Sequence, residues 1–374
     1  MIYHLLLLIL IMVITLIYEF GNQTQQNKKN CVIVVTVALT LFSGLRTWWY
    51  GDLIRYYTLG YRASMFSSWR DVLFGAGKNH GLNTFFKIST SLGLSYEICL
   101  FLIAAFIAIT IGVAVYKYSP SPYWSYVMYI TMGFFEFTLS GLKQTVAMGF
   151  CFIAIHYVFS KKKWKFVLFA LLAAVFHAPA AIFLLAYPIA KLNINRKYFV
   201  LLAATVVAVF LFRNQIVGFF AEAYYDNSDS FASGSKLVGG RTIMMVFIII
   251  FASFMRTPMY GDKVYSNLFN IMVFAAIIQT FSIYDNNFTR LADYYYVFVL
   301  LFFPFVMESG EHQAVAQPER AALIKYNALH FYVLAAVFVS LYSLYYYYRY
   351  ISDSGIANNF KFCWQINAYE LYGK

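Results

Sequence analysis

Long apolar runs dominate this sequence from its first residues almost to its last. The run from Met1 to Phe20 is the first, and others cover about Cys31 to Leu45, Tyr96 to Tyr116 and Pro122 to Leu139. A hydrocarbon core about 30 Å thick takes about 20 apolar residues of helix to cross, and helices satisfy their own backbone hydrogen bonds there. The sequence therefore predicts an all-α, polytopic integral membrane protein with about ten to twelve transmembrane helices, in one transmembrane domain over residues 1–374.

The charge of the chain fits this class. Only 12% of its 374 residues are charged, and the net charge is +12. In a soluble protein this excess would suggest nucleic acid, but here the basic residues lie in loops between spans, so no nucleic-acid partner is expected. They are either topology signals on the inner face or contacts for an anionic ligand on the outer face. Three of the four cysteines lie in apolar runs and are expected to be small core residues.

Basic loops predict which side of the membrane each segment faces. Lys28 and Lys29 place the first loop in the cytoplasm, and the third span returns to the same side at Lys117. The cluster at Lys161 to Lys165 marks a further cytoplasmic loop. The polar segment 46–91 then lies outside as a long external loop with short helices. We expect a second external loop at 213–241 and a polar C-terminal tail at 349–374 on the same side.

The apolar run at 166–190 contains His177 directly before Ala178 and Pro179. Proline removes a backbone donor and disfavours helix in the preceding residue, so the run should break there. It is either one kinked crossing helix or a re-entrant hairpin, and the basic clusters at both ends favour the hairpin. His177 is then either a hydrogen-bonded core residue or a functional group that lines a cavity.

Motifs of soluble enzyme chemistry do not occur in this sequence. It has no H-E-x-x-H, paired C-x-x-C, D-x-D, P-loop, G-x-G-x-x-G or G-x-S-x-G pattern. We therefore expect no metal, no cofactor and no nucleotide substrate.

Arginine and aromatic residues concentrate just after the second apolar run. Arg46 stands beside Trp48 and Trp49, and it is either an anchor that snorkels in an aromatic belt or a clamp for a diphosphate. If the next residues are helical, Asp52 and Tyr56 share a face. Asp52 could form a salt bridge to an arginine such as Arg55, or it could orient or deprotonate a sugar hydroxyl.

Further polar groups open later spans. Lys143 and Gln144 stand at a predicted helix N-terminus, where the dipole favours phosphate. Glu136 lies within a span and needs a partner, for which Lys143 is a candidate. Arg241 and Arg290 begin two spans on the face assigned to the exterior.

The ordered set of Arg46, Gly51-Asp52, Tyr56, the stretch Gly141 to Pro188 and Arg290 resembles the EpsG family of Wzy-like polysaccharide polymerases. The stretch carries a basic-Gln pair, a lysine-rich inner turn and a Phe-His before small residues. Two departures occur. The family's Arg-Gln is Lys143-Gln144 here, and its Gly-Thr-Asp is Tyr50-Gly51-Asp52.

The resemblance implies a membrane glycosyltransferase of the bacterial cytoplasmic membrane. It would join oligosaccharide repeat units carried on undecaprenyl diphosphate, as donor and acceptor, by inverting, metal-independent transfer on the outer face. The product would be O-antigen, capsule or exopolysaccharide, and the partners would be membrane lipid with the chain-length regulator and flippase of the same pathway. The expected catalytic residues are Arg46, Asp52, His177 and Arg290, and the expected substrate-binding residues are Arg55, Tyr56, Lys143, Gln144, Arg241, Trp48 and Trp49.

Three other functions fit the same sequence features. A flippase or transporter of the lipid-linked saccharide would use the basic residues to line its path. An O-antigen ligase would have the same donor and leaving group, and a membrane O-acyltransferase is a further multi-span enzyme with an intramembrane histidine.

Overall fold

The computed structural model describes residues 2–48, 52–75, 80–224, 239–254, 263–316, 321–353 and 360–365. These ranges are built from helices, and their extended backbone contributes one bridge, between Arg46 and Phe362. The predicted all-α, polytopic fold is confirmed.

The helices follow one another with short connections. The helices up to residue 176 are α1 (Ile2–Glu19), α2 (Gln25–Gly44), α3 (Asp52–Tyr56), a π-helix (Tyr57–Arg62), α4 (Ala63–Phe66), α5 (Trp69–Phe74), α6 (His80–Ser91), α7 (Tyr96–Tyr118), α8 (Pro122–Thr131), α9 (Phe134–Thr138), α10 (Leu142–Phe159) and α11 (Lys163–Phe176). The later helices are a 3-10 helix (Ala178–Leu185), α12 (Ala186–Ala190), α13 (Arg196–Leu211), α14 (Arg213–Tyr224), α15 (Gly240–Phe254), α16 (Lys263–Thr280), a second 3-10 helix (Phe281–Ile283), α17 (Asn287–Tyr296), α18 (Val299–Ala316), α19 (Ala321–Asp353) and a third 3-10 helix (Cys363–Gln365).

These helices belong to two compact units. Unit 1 comprises Met1–Tyr157, Lys162–Ala181 and Leu341–Lys374, and unit 2 comprises Val158–Lys161 and Ile182–Ser340. The predicted single transmembrane domain, with its loops at 46–91 and 213–241 and its tail at 349–374, stays a prediction.

Several helices are long and apolar enough to cross a membrane. Within the described ranges, four qualify alone: Ile2–Glu19, Tyr96–Tyr118, Leu142–Phe159 and Lys263–Ile283. Two bent pairs bring the number to six if each pair is one span: Arg196–Leu211 with Arg213–Phe219, and Asn287–Tyr296 with Val299–Met307. The larger number of ten to twelve stays a prediction.

In unit 1, α2 and α7 pack closely along each other. Val35 and Leu39 of α2 and Ile107 of α7 are buried between them. Gly112 permits the close approach, because a Cβ atom there would lie 2.4 Å from Thr36 Oγ1. Small residues at such crossings are typical of helix pairs in membranes.

One side of unit 1 gathers the loops that were predicted to be cytoplasmic. Glu19 ends α1, and its Oε1 accepts a hydrogen bond from Ser121 Oγ at 2.6 Å. Lys28 in α2 donates to the Ser119 carbonyl at the end of α7. The two predicted inner loops therefore meet, which agrees with the alternation of the first three spans.

The predicted fourth span, about Pro122 to Leu139, is interrupted. α8 ends at Thr131, and Gly133 has φ +79° before α9 begins. A glycine in the left-handed region commonly ends a helix. The span is therefore built from two helices, and whether it crosses the membrane stays a prediction.

Unit 2 is built around α16, α17 and α18. All residues from 291 to 304 are buried, so protein surrounds the part of these two helices where α17 ends and α18 begins. Asn270 of α16 donates to the carbonyls of Ala190 and Leu192, at 3.3 and 2.8 Å. These bonds tie α16 to the end of α12.

The predicted break in the run 166–190 is confirmed. α11 ends at Phe176, and His177 has an extended backbone, with φ −147° and ψ 104°. Residues at the two ends of the segment meet within unit 2, because Lys161 and Lys191 line one cavity and Lys191 Nζ donates to the Val158 carbonyl at 2.8 Å. A segment that starts and ends at one place favours the re-entrant hairpin over a kinked crossing.

Candidate functional site

Arg46 lies at the turn that follows α2, and its side chain is buried. It is 2% exposed, its Nε donates to the Leu139 carbonyl at 3.0 Å, and its Nη1 donates to the Ser43 carbonyl. A buried guanidinium is costly without such acceptors. Arg46 therefore ties the end of α2 to the segment before α10 and holds a positive charge below the surface of unit 1.

A piece of the C-terminal tail covers this turn. The Thr47 amide donates to the Lys361 carbonyl at 2.9 Å, and the Cys363 amide donates to the Leu45 carbonyl at 2.9 Å. Phe360 stacks on Phe42 with 4.7 Å between ring centroids. The tail thus fixes the residues on both sides of Arg46, a contact that the sequence analysis did not predict.

Aromatic side chains form a cluster directly after the turn. We define the aromatic cluster as Trp48, Tyr57, Tyr61, Phe86 and Tyr96, whose neighbouring rings have centroids 4.2 to 6.0 Å apart. Each such contact adds about 0.5–1.5 kcal/mol beyond the area it buries. Burial raises the pKa of Tyr61, whose hydroxyl donates to the Leu94 carbonyl at 2.6 Å.

Trp48 is fixed by a polar contact as well. Its indole Nε1 donates to Glu97 Oε1 at 2.7 Å. A ring held by both stacking and a hydrogen bond is a rigid surface for a sugar. The predicted role of Trp48 as a sugar platform stays a prediction, and Trp49 lies outside the described residues.

The segment after the turn is helical, as the predicted pairing of Asp52 with Tyr56 requires. Asp52 and Arg55 of α3 are exposed, and Tyr56 is half-buried. Leu53, between them, is fully buried, and its carbonyl accepts a hydrogen bond from Tyr96 at 2.9 Å. Asp52 is therefore a solvent-facing carboxylate on a helix that the aromatic cluster anchors.

Lys143 and Gln144 lie in the first turn of α10, where they were predicted. Lys143 Nζ lies 5.9 Å from the centroid of the Tyr56 ring, and Gln144 is 4% exposed. The flanking Leu142 and Val146 pack in the same hydrophobic cluster as Leu53. The start of α10 thus brings a lysine to the face of α3.

His177 directly follows Phe176, the last residue of α11. Phe176 packs against the hydrophobic core that includes Tyr61, Phe86 and Tyr96 of the aromatic cluster, and its Cα would lie 2.9 Å from a Cβ atom on Gly81. His177 is half-buried, and its carbonyl accepts a hydrogen bond from the Ala180 amide at 2.8 Å. The break therefore places the histidine next to a residue that contacts this core.

Glu136 has a different partner from the one predicted. Its Oε2 lies 3.2 Å from His4 Nε2, and both side chains are completely buried. The prediction that Lys143 pairs with Glu136 is wrong. The partner is instead His4, which lies in α1 more than 130 residues earlier in the chain.

Unit 2 holds Arg241 and Arg290, the two remaining predicted residues. Arg241 opens α15, its Nη1 lies 3.0 Å from Asp293 Oδ1, and its guanidinium lies 5.2 Å from the Tyr296 ring centroid. Arg290 is exposed, one turn before Asp293 in α17. Asp293 was missed in the sequence analysis, although its position three residues after Arg290 was a usable signal.

Unit 1 therefore collects most of the predicted site. Four separate segments supply a buried arginine, a lysine, an exposed carboxylate, a histidine and stacked rings. Cations of this kind stabilise a departing diphosphate, rings hold saccharide, and a carboxylate or imidazole accepts a hydroxyl proton. The arrangement suits transfer of a sugar from a phosphorylated carrier.

Comparison with known proteins agrees with this chemistry. The model of the EpsG family matches residues 29–362, a range that includes Arg46, Asp52, His177 and Arg290. No curated protein and no solved structure gives a significant match. Because the family model covers nearly the whole chain, the protein belongs to the EpsG family, which is a family of Wzy-type polymerases.

Proposed function

We propose that this protein polymerises oligosaccharide repeat units carried on undecaprenyl diphosphate, on the outer face of the bacterial cytoplasmic membrane. The observation that carries the proposal is the convergence of four segments of unit 1 on one hydrophobic core, which includes Tyr61, Phe86 and Tyr96 of the aromatic cluster. Membership of the EpsG family supports the same reaction class. The product is a surface polysaccharide such as O-antigen, capsule or exopolysaccharide.

The reaction is a single displacement at the anomeric carbon of the donor. The terminal hydroxyl of the incoming repeat unit forms the new glycosidic bond as the bond to the diphosphate oxygen breaks, which inverts the configuration. Undecaprenyl diphosphate leaves with the bonding electron pair. The hydroxyl proton passes to Asp52 or His177, so the step needs no nucleotide and no metal ion.

The cations have different parts in this step. Lys143, at the start of α10, faces the growing charge of the leaving diphosphate together with the positive end of the helix dipole. Arg46 is buried and adds a fixed positive potential while it holds the turn that carries Trp48. Arg55 and Tyr56 line the accessible side of α3, and the saccharide lies against Trp48 and Tyr57, the two rings of the aromatic cluster that are only half-buried.

The test is gel analysis of surface polysaccharide from a deletion strain. Wild type restores a ladder of long chains, whereas Arg46→Ala and Asp52→Asn give single repeat units. Arg62→Ala is the matched control, because Arg62 is an exposed arginine of the adjoining π-helix, and it keeps the ladder. A full ladder from Arg46→Ala and Asp52→Asn would contradict the proposal.

The same gels separate the rival functions. A polymerase variant still exports single units, whereas loss of a flippase or transporter removes exported units altogether. A ligase transfers its donor onto a lipid A core rather than onto a second lipid-linked unit. Analysis of the acceptor by mass spectrometry decides between these outcomes.

A further inference from the structure

Unit 2 contains a cavity that the proposed reaction does not use. It has a volume of about 380 Å³, and its lining includes Lys161, Lys191, Asn193, Lys263, Ser266 and Asn267. The size is within the range of small-ligand pockets. Basic clusters predict that Lys161 and Lys191 face the cytoplasm, opposite to the proposed reaction.

Three lysines from three separate segments meet at this cavity. Lys191 is held at the wall, since its Nζ donates to the Val158 carbonyl at 2.8 Å and lies 5.6 Å from the Tyr187 ring centroid. Burial, and then the charges of Lys161 and Lys263, lower the pKa of Lys191. The positive charges of Lys161 and Lys263 therefore repel that of Lys191. The described part of the lining contains no carboxylate that would neutralise them.

The start of α16 adds donors to the same place. Lys263 begins this helix of 18 residues, and Ser266 follows in its first turn. The first backbone amides of a helix lack partners within the helix, and together with the dipole they favour an anion.

Asn267 supplies an independent sign of a missing ligand. Its side chain is 5% exposed, it lines the cavity, and its Nδ2 has no hydrogen-bond partner among the described residues. Asn270, one turn further on, bonds the carbonyls of Ala190 and Leu192 and so holds this part of α16 in place. A buried polar group without a partner calls for a bound water, ion or ligand.

The backbone at Lys161 is also unusual. Its φ of +56° lies in the left-handed region, which glycine occupies at lower cost than lysine. A lysine at this position keeps a charge at the cavity where a glycine would fit the turn better.

We propose that this cavity binds a phosphate group, either in the head group of an anionic membrane lipid or as a soluble phosphate or diphosphate. Three ammonium groups, helix amides and an asparagine amide are all donors, and phosphate oxygens accept from all of them. The bound group ties both ends of the segment 162–190 to α16. The site is distinct from the proposed polymerisation site and does not depend on it.

The first test measures the reaction of individual lysines with an acetylating reagent. The full-length protein is purified in maltoside detergent, stripped of lipid and acetylated with phosphatidylglycerol, phosphatidylcholine or inorganic diphosphate at constant ionic strength. Mass spectrometry should find that Lys161, Lys191 and Lys263 react about fivefold more slowly with the bound anion. Lys163 and Lys197, which belong to the same basic clusters but do not line the cavity, should be unaffected.

Comparison of the added ligands identifies whether the bound phosphate belongs to a lipid or to a soluble anion. Protection by phosphatidylglycerol alone assigns a lipid head group, and protection by diphosphate as well assigns the phosphate group itself. Equal protection of all five lysines, or protection by none of these ligands, would overturn the proposal.

Variants make the test independent of folding defects. Lys191→Gln and Lys263→Gln should weaken binding of the protecting ligand about tenfold each, whereas Lys163→Gln and Lys197→Gln should not. Lys161→Gly removes a charge but relieves the left-handed backbone, so it should keep or raise thermal stability and still lose affinity. Wild-type affinity in Lys161→Gly and Lys191→Gln would refute the site.

Discussion

Two residues of unit 1 compete for the role of general base, and their surroundings differ. Asp52 is exposed on α3, anchored through Leu53, whereas His177 is half-buried at the break after α11. An exposed carboxylate reaches a bulky acceptor sugar more easily. For the proposed reaction, we therefore expect the proton to pass to Asp52 and His177 to act as a positioning residue.

The assignment predicts unequal effects of substitution. Asp52→Asn should lower the rate of polymer formation about 10²- to 10⁴-fold, the usual contribution of a general base. Asp52→Glu should restore part of the rate, because it keeps a carboxylate on the same face of α3. His177→Gln should cost less than Asp52→Asn when initial rates are measured with purified protein. The reverse order would make His177 the base.

Lys143 can be tested by restoring the arginine that is usual in the family. Lys143→Arg keeps the charge above the Tyr56 ring and adds a planar fork that binds phosphate through two hydrogen bonds. We expect a rate equal to or above wild type, and a loss of about tenfold or more in Lys143→Gln. Lys163→Arg is the control, and a full rate in Lys143→Gln would exclude a role for this charge.

The buried pair of His4 and Glu136 is a structural contact. Because both side chains are fully buried, His4→Leu leaves a carboxylate without its partner. This should lower the free energy of unfolding by about 3–5 kcal/mol. The double variant His4→Leu with Glu136→Leu should recover most of that loss in thermal unfolding followed by tryptophan fluorescence. Strictly additive effects of the two changes would show that the residues do not interact.

At the scale of elements, the close packing of α2 against α7 requires a glycine at position 112. Gly112→Ala places a Cβ atom 2.4 Å from Thr36 Oγ1, a distance that requires the helices to move apart. Overpacking of this kind costs about 1–3 kcal/mol. Gly112→Ala combined with Thr36→Ala should be less destabilised than the sum of the single variants, as measured by thermal unfolding in detergent. Gly218→Ala, where the added atom meets nothing within 4 Å, is the matched control.

The break after α11 has a consequence for the position of the site. α11 has 14 residues, so it is about 21 Å long and shorter than the hydrocarbon core. For a segment of this length that returns to its starting point, we expect His177 to enter the membrane without the segment crossing it. The local rule for proline was sufficient to predict this element.

At the scale of the whole molecule, local signals predicted the fold class and failed for distant partners. The lengths of the apolar runs predicted a helical membrane protein, and Pro179 predicted the break at His177. The left-handed Gly133 was overlooked, because a glycine inside an apolar run is ambiguous by periodicity alone.

Distant contacts had no signal in the sequence. His4 meets Glu136, and the tail at 360–365 meets the turn of Arg46, because unit 1 packs together segments that are far apart in the sequence. The positions of Lys143 and Gln144 in the first turn of a helix were predictable, whereas the burial of Arg46 was not. A buried arginine and a snorkelling one have the same local sequence, and packing alone decides between them.

The proposed reaction requires this one chain to join lipid-linked repeat units without a nucleotide. Reconstitution tests this directly, with the purified protein in vesicles that contain only undecaprenyl-diphosphate-linked repeat units, when chain length and released undecaprenyl diphosphate are followed together. We expect a ladder of chains with one undecaprenyl diphosphate released for each linkage, and no ladder from Asp52→Asn. Movement of single units across the bilayer with no new linkage would contradict it.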